Sequence, residues 1–411
     1  MFEGKHLLLL ATKAGYQTRM FAEAAAALGV RCTLATDRCN HLDDPWGDQA
    51  LAVRFQDPIG SLPSLSAAGP FDAVAAVGDR PTLLAALCAE KGGLRFHPPH
   101  AVEAARSKYL SKERFRAAGL PLPWFARYRL DEDPSELVPY PCVLKPLALS
   151  GSRGVIRADS PAEFRTALER IRRLLSESEI RRLKNEQNRF VQVERFIPGE
   201  EFAIEGLVTG GELKVLALFD KPDPLDGPYF EETIYVTPSR QPDAVQRDII
   251  GTVQRAAAAL GLRHGPLHAE VRVNSEGVWI LEVACRPIGG YCGRTLRFDG
   301  GMTLEELILR HALDQDVSNV AREPGSAGVM MIPVPKAGIF RAVSGADTAR
   351  AVPGIEDVVI SAKPGQQLKT YPEANSYPGF LFARGDDPLR VETSLRNAHR
   401  ALRFEILTEL T

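Results

Sequence analysis

Glu270, Glu282 and Arg286 are the residues whose types and spacing could do chemistry together. They fall in one stretch, residues 265–297, GPLHAEVRVNSEGVWILEVACRPIGGYCGRTLR. Residues 267–273 alternate in character, with His268, Glu270 and Arg272 pointing one way and Ala269, Val271 and Val273 the other. Residues 278–284 form a second β-rich run, and Asn274-Ser275-Glu276-Gly277 between them is turn chemistry. A three-residue loop with Gly277 left-handed sets Asn274 opposite Val278 and Glu270 opposite Glu282 on one face. Like charges directly opposite in a sheet repel. A cation belongs between them, and a hard divalent ion with oxygen ligands suits the pair. Arg286 lies four residues beyond Glu282, followed by a proline and a glycine pair that end the strand. Two acids and an arginine at one strand end can hold metal and phosphate together. A shorter or longer loop would instead send the carboxylates to opposite faces. Arg286 could equally form a structural ion pair with an acid such as Glu270.

A second candidate group precedes it. Residues 141–145 (PCVLK) read as a short buried strand ending in Lys145. The following PLALSGSRGV is rich in small residues, and Ser150, Gly151, Ser152 and Gly154 let backbone N–H groups close around a phosphate. The pattern lacks GK[ST], so it is not a Walker A loop. Alone, it reads as an ordinary turn. Lys108, in SKYLSKERF on a helix spanning 101–119, reads alone as a solvated lysine.

The elements that must position these groups come next. The chain has 411 residues, 45% hydrophobic and 25% charged, with a net charge of −2, which suits two or three globular domains. No long basic run asks for nucleic acid or an anionic membrane. The apolar run at residues 7–11 is far shorter than a spanning helix or a signal peptide, so a cytoplasmic location is expected. Cys32, Cys39, Cys88, Cys142, Cys285 and Cys292 form no CxxC pair and read as free thiols.

Residues 1–103 alternate strands (5–11, 30–36, 71–77) with helices (14–28 the first), which implies a parallel sheet. The first turn, 11–15, lacks GxGxxG. Residues 104–315 hold helix 101–119, the phosphate-loop candidate, a helix-rich stretch 160–184, strands 190–197, 202–208 and 212–218, a Pro- and Asp-rich loop 220–227, helix 242–261, the hairpin and helix 302–313. Residues 317–328 read as a linker. Residues 316–411 read as a small α+β cap with a helix at 391–405 and no motif that carries chemistry.

The ordered landmarks SKYLSKERFRAAGLPLP, PCVLKPLALSGSRGV, VQVERFIPGEEF and HAEVRV followed by WILEVACRPIGG resemble the ATP-grasp superfamily over roughly residues 106–313. RPIGGYCGRTLR and FDKPDPLDGPYFEETIYVTPS are similar to its carboxylate–amine ligases, the L-amino acid ligases or dipeptide synthetases. The resemblance implies an ATP-grasp fold, α/β and α+β. It has an N-terminal parallel-sheet α/β domain, a central nucleotide-binding domain and a small C-terminal α+β domain. It implies that Lys108 and Lys145 hold ATP phosphates and that Ser150, Gly151, Ser152 and Gly154 close over them. Glu194 would accept from the adenine amino group, and Phe196 and Ile197 would form the hinge. Glu201 would take the ribose hydroxyls, Glu270 and Glu282 would ligate Mg2+ (or Mn2+), and Arg286 would face the transferred phosphate. The family pattern Glu-x-Asn-x-Arg is here Glu282-Val283-Ala284-Cys285-Arg286, and Ala284 cannot coordinate a second metal.

The implied activity is ATP-dependent activation of a carboxylate, such as an amino acid, as an acyl phosphate, followed by attack of an amine. The partners would be small molecules, with no nucleic acid and no membrane, and a homodimer is the assembly open to it. A carboxylase similar to biotin carboxylase and a non-catalytic nucleotide-binding scaffold are the other readings. Ala284 alone favours the scaffold.

Overall fold

The computed structural model describes residues 2–12, 15–37, 50–374 and 376–408. Lys13, Ala14 and Cys39 lie outside the described residues. The strand His6–Ala11, apolar from Leu7 on, is buried along its whole length, as a strand covered on both faces must be. It sits inside a parallel sheet ordered Leu51–Ala52, Arg31–Thr36, His6–Ala11, Ala73–Val77. The helices Tyr16–Ala27, Pro58–Ala68 and Thr82–Gly92 accompany it.

The single helix expected over 101–119 is two, Pro99–Arg106 and Lys108–Ala117. Ser107 breaks it: its backbone is extended, and its hydroxyl accepts from the Leu110 N–H at 3.2 Å, an N-cap in mid-pattern. Lys108 thereby opens a new helix. Lys112, one turn on, is buried.

A four-stranded antiparallel sheet follows, ordered Phe125–Arg129, Phe190–Arg195, Cys142–Pro146, Ile156–Ala158. The helix Pro161–Leu175 packs on it through Phe164, Ala167, Leu168, Ile171, Leu174 and Leu175.

The main sheet has eight strands, ordered Gly277–Ala284, His264–Asn274, Glu200–Thr209, Glu212–Lys221, Ile234–Thr237, Ser326–Met331, Gly379–Gly385, Ile355–Ile360. The last three come from the expected cap. A boundary at 315/316 therefore cuts through one continuous sheet, with Ile234 paired to Met330 and Thr237 to Ala327. The expected linker is in part a docked segment. The Lys214 ammonium donates to the carbonyls of Val317, Ser318 and Val320, and Ser326 already begins a strand. The terminal helix runs Pro388–Ala401, with Asp387 as its N-cap, rather than 391–405. Arg403–Leu407 is a strand against Gly338–Ser344, its alternation hidden behind the preceding helical pattern. Among the described residues no helix is long and apolar enough to cross a membrane.

The hairpin pairs Glu270 with Glu282, but by another route than a three-residue loop. Asn274 pairs with Gly277, so the turn is one residue tighter, and Val271 pairs with Ile280. That register alone would set Glu270 opposite Leu281. A β-bulge at Ile280–Leu281 supplies the extra residue and restores Glu270 opposite Glu282.

Where this hairpin meets the strand before it, Gly199 (φ 121°) leaves 2.2 Å between an added Cβ and the Val273 carbonyl oxygen. Backbone on both sides leaves nothing soft to yield. Gly199→Ala is expected to cost about 3 kcal/mol, strain and overpacking together. Urea unfolding of the purified variant measures it, and a loss within about 0.5 kcal/mol, the size of a neutral surface change, would contradict this packing.

Candidate active site

A cavity of about 990 Å³ lies where the three sheets meet. Lys108, Lys145, Ser150, Gly151, Ser152, Glu194, Phe196, Ile197, Glu201, Glu270, Glu282 and Arg286 all line it. Gly154 does not. Its N–H donates to the Pro372 carbonyl at 2.8 Å, so this amide is directed at the C-terminal region rather than at a phosphate.

One end of the cavity is cationic. Lys108 donates to the Leu149 carbonyl at 2.6 Å, tying the capped helix to the glycine loop. Lys145, at the end of its strand, donates to Glu194 Oε2 at 2.8 Å, and Lys112 lies 3.7 Å from Oε1. Glu194 Oε1 also accepts from Gln192 at 2.6 Å. Both carboxylate oxygens are thus engaged before any adenine amino group arrives. Burial opposes ionisation of Glu194, but Lys112 and Lys145 override it and bring its pKa down to about 2. Burial pulls the Lys112 ammonium down to about 8, with Glu194 resisting. Phe196 donates its N–H to the Pro141 carbonyl at 2.9 Å, and the guanidinium groups of Arg157 and Arg272 cover its ring at 4.2 and 5.1 Å. The Ile197 carbonyl accepts from Arg272 at 2.7 Å.

The other end is anionic. Lys221 is buried among three carboxylates, at 2.7 Å from Glu201, 3.0 Å from Glu232 and 2.9 Å from Glu270. Oxygens of these three acids lie within 4.8 Å of one another. Glu201 also accepts from Arg272 at 3.0 Å, so the residue expected at the ribose sits in this cluster with both oxygens in use. Burial works against the charge of Glu270, but Lys221 and His268 hold its pKa well below the usual carboxylate range. Burial likewise opposes a charged His268, and the flanking Glu205 and Glu270 outweigh it, pushing His268 up to about 9. An all-oxygen cluster that already holds one positive charge fits a hard divalent ion. Glu282 lies apart from the trio, where its charge acts on Lys112 and Arg286. The cross-strand partner of Ala284 is His268.

Arg286 reaches the N-terminal sheet. Its Nε donates to Asp79 at 2.8 Å and its Nη1 to the Pro287 carbonyl at 3.0 Å. The ion-pair partner is Asp79, not Glu270. Burial raises the Asp79 carboxyl, and Arg286 more than reverses this.

The sequence reading left Asp79, Lys112, Lys221, Glu232 and His268 without roles. Each had a signal: Gly78-Asp79 closes a parallel strand, Lys112 stands four residues from Lys108, and His268 shares the Glu270 face. Lys221 stands in the Pro- and Asp-rich stretch 220–227, and Glu232 follows it.

The fold is that of ATP-grasp structures, and the chain carries an ATP-grasp domain. The family model of the ATP-grasp domain matches residues 138–295, and that of L-amino acid ligase C-terminal domain 2 matches residues 330–407. The second falls in the region that carried no legible motif. The chain is 26% identical over 316 residues to the uncharacterized protein y4rH of Sinorhizobium fredii, covering 75% of this chain and 63% of that protein. It is 28% identical over 195 residues to dapdiamide A synthase of Enterobacter agglomerans, covering 46% of this chain and 43% of that one. The chain thus spans about half the length of these curated relatives. The crystal structure of an L-amino acid ligase from Bacillus licheniformis shares the fold, with a TM-score of 0.84 at 24% identity over 99% of this chain and 100% of that one.

Removing Glu194 would leave the buried Lys112 and the half-buried Lys145 without their shared carboxylate. Glu194→Gln is expected to cost about 3–5 kcal/mol at neutral pH, the scale of breaking a buried ion pair from one side. The carboxyl's folded pKa of about 2 lies below its ordinary 4.5. Its contribution is complete above 4.5 and is lost as pH falls towards 2. The variant's stability should therefore change less with pH across that acid window. Urea unfolding between neutral pH and the acid limit reads both effects, and an unchanged acid slope would count against the assignment.

Proposed function

We propose that the protein is an ATP-dependent carboxylate–amine ligase, activating an amino acid carboxylate and joining it to an amine to give an amide or dipeptide. One observation carries the reading. Lys108, Lys145, the glycine loop, Glu270, Glu282 and Arg286 all line a single cavity.

A carboxylate is a poor electrophile. Its oxygen attacks the γ-phosphorus of ATP, an O–P bond forms, and the bond to the bridging oxygen breaks, releasing ADP. The amine then attacks the acyl carbon, a C–N bond forms, the C–O bond breaks, and phosphate leaves. The chain's residues have to neutralise the moving phosphoryl group and keep water away from the acyl phosphate. Lys108 and Lys145 suit the phosphates. Arg286, held by Asp79, presents a planar guanidinium suited to the transferred group. Glu270 and Glu282, with Glu201 and Glu232 beside Glu270, would hold Mg2+, which supplies Lewis-acid charge to the phosphates when bound. Two matches support the acceptor class: the L-amino acid ligase C-terminal domain at residues 330–407 and the similarity to a dapdiamide synthase. The reading places the enzyme in the cytoplasm, acting on small molecules, as a monomer or homodimer.

Phosphate release screened over amino-acid pairs with ATP and Mg2+, with mass spectrometry of the product, tests the activity. Phosphate release that needs bicarbonate and no amine would overturn it in favour of a carboxylase. On the productive pair, Arg286→Lys keeps the charge and loses the fork. Turnover should fall about a hundredfold or more, as when one preorganised donor to a transition-state charge is removed. Equilibrium ATP binding should change little. Near-normal turnover in this variant would take Arg286 out of the chemistry.

A further inference from the structure

The glycine loop is held from outside its own domain. A strap in the C-terminal region, residues 369–374, reaches it at several points. Gly154 donates its N–H to the Pro372 carbonyl at 2.8 Å, and the Tyr371 hydroxyl donates to the Gly151 carbonyl at 3.3 Å. Beside the loop, Arg170 forks onto Glu373 at 2.5 and 2.7 Å and also meets the Tyr229 hydroxyl. Glu177 joins the two sides, accepting from loop residue Arg153 at 2.9 Å and from strap residue Lys369 at 2.8 Å.

The strap is also a wall of the cavity. Tyr371 and Tyr377 line it, their hydroxyls 3.0 Å apart. The loop therefore rests on residues that also form a wall of the cavity. A glycine-rich loop has little of its own to fix its shape. Hydrogen bonds to its Gly151 carbonyl and Gly154 amide leave the amides of Ser152 and Arg153 between two anchored points.

We propose that Tyr371 and Glu373 are positioning residues for the phosphate-binding loop, so that the C-terminal region is a working part of the nucleotide site. Neither touches the reacting atoms. Tyr371 acts through Gly151, and Glu373 acts by tying the strap, whose Pro372 carbonyl holds Gly154, to Arg170 on helix Pro161–Leu175. The inference rests on the ligase reading in taking residues 150–154 as the loop that covers the phosphates. It adds that the loop is shaped by residues some two hundred positions away in sequence.

Hydrogen exchange of the full chain without nucleotide tests the hold directly. In Glu373→Gln the amides of residues 148–156 should exchange on the order of tenfold faster than in the parent, the effect of weakening a charge-assisted pair. In Tyr371→Phe the increase should be about threefold, the weight of one neutral hydrogen bond. Reversing the pair, Arg170→Glu with Glu373→Arg, should restore slow exchange. Should Glu373→Gln fail to fold, Tyr371→Phe carries the test alone, since it keeps the ring. Unchanged exchange at 148–156, or faster exchange spread evenly over the chain, overturns the proposal. Equilibrium binding of ATP with Mg2+ then separates the two ideas. Weaker binding in both variants supports positioning, and unchanged binding overturns it. If the parent protein binds no ATP, the ligase reading fails and the positioning role falls with it, whereas slow exchange at the loop still reports the contact itself.

Discussion

Three carboxylates whose oxygens lie within 4.8 Å of one another repel one another, and even with a cation among them burial and the neighbouring Glu270 push Glu232 up to about 7. Lys221 is that cation, and much of the central sheet is arranged around it. Glu201 and Glu270 come from neighbouring strands, Lys221 ends a third, and Glu232 follows the loop after it. Arg272 adds a second positive charge at Glu201 and braces the hinge through the Ile197 carbonyl. The geometry that could accept a divalent ion is thus kept assembled by the chain's own charge.

The opposite end of the cavity is built with the signs exchanged. There one buried carboxylate, Glu194, stands between two ammonium groups, Lys145 and Lys112. The cavity is therefore bipolar. Lys112 and Lys145 gather in one charged cluster and Glu201, Glu232 and Glu270 in another, both along one cavity. Arg286 is anchored by Asp79 to the N-terminal sheet, which makes that sheet a wall of the cavity as well as a scaffold.

Much of this was legible in the chain itself. The parallel sheet followed from alternating apolar strands and helices, and the glycine loop from small residues after Lys145. The gathering of distant landmarks in one cavity came from their order. The rest was hidden for identifiable reasons. Ser107 is one cap inside a periodic helical pattern, and the pattern masks it. Lys112 and Lys221 look like surface lysines until long-range pairing buries them beside acids. The strands of the C-terminal region read as a separate unit because strand pairing across sequence leaves no local mark. The Glu270–Glu282 pairing was expected from a loop length that is not the one present, and the bulge made the difference good.

That bulge makes turn length and strand regularity exchangeable. The face on which Glu282 lies depends on the number of residues between it and Glu270, and not on where the extra one is lodged. The residue can sit in the turn or bulge out of the strand with the same outcome for the carboxylates. Hairpins of this kind can therefore differ in both places at once while keeping their acids aligned. An insertion at Ser275-Glu276 matched by loss of Leu281 would trade one shape for the other and keep Glu270 opposite Glu282. Aligned residue by residue, two such hairpins would show a pair of offsetting gaps where the physics sees a single conserved count.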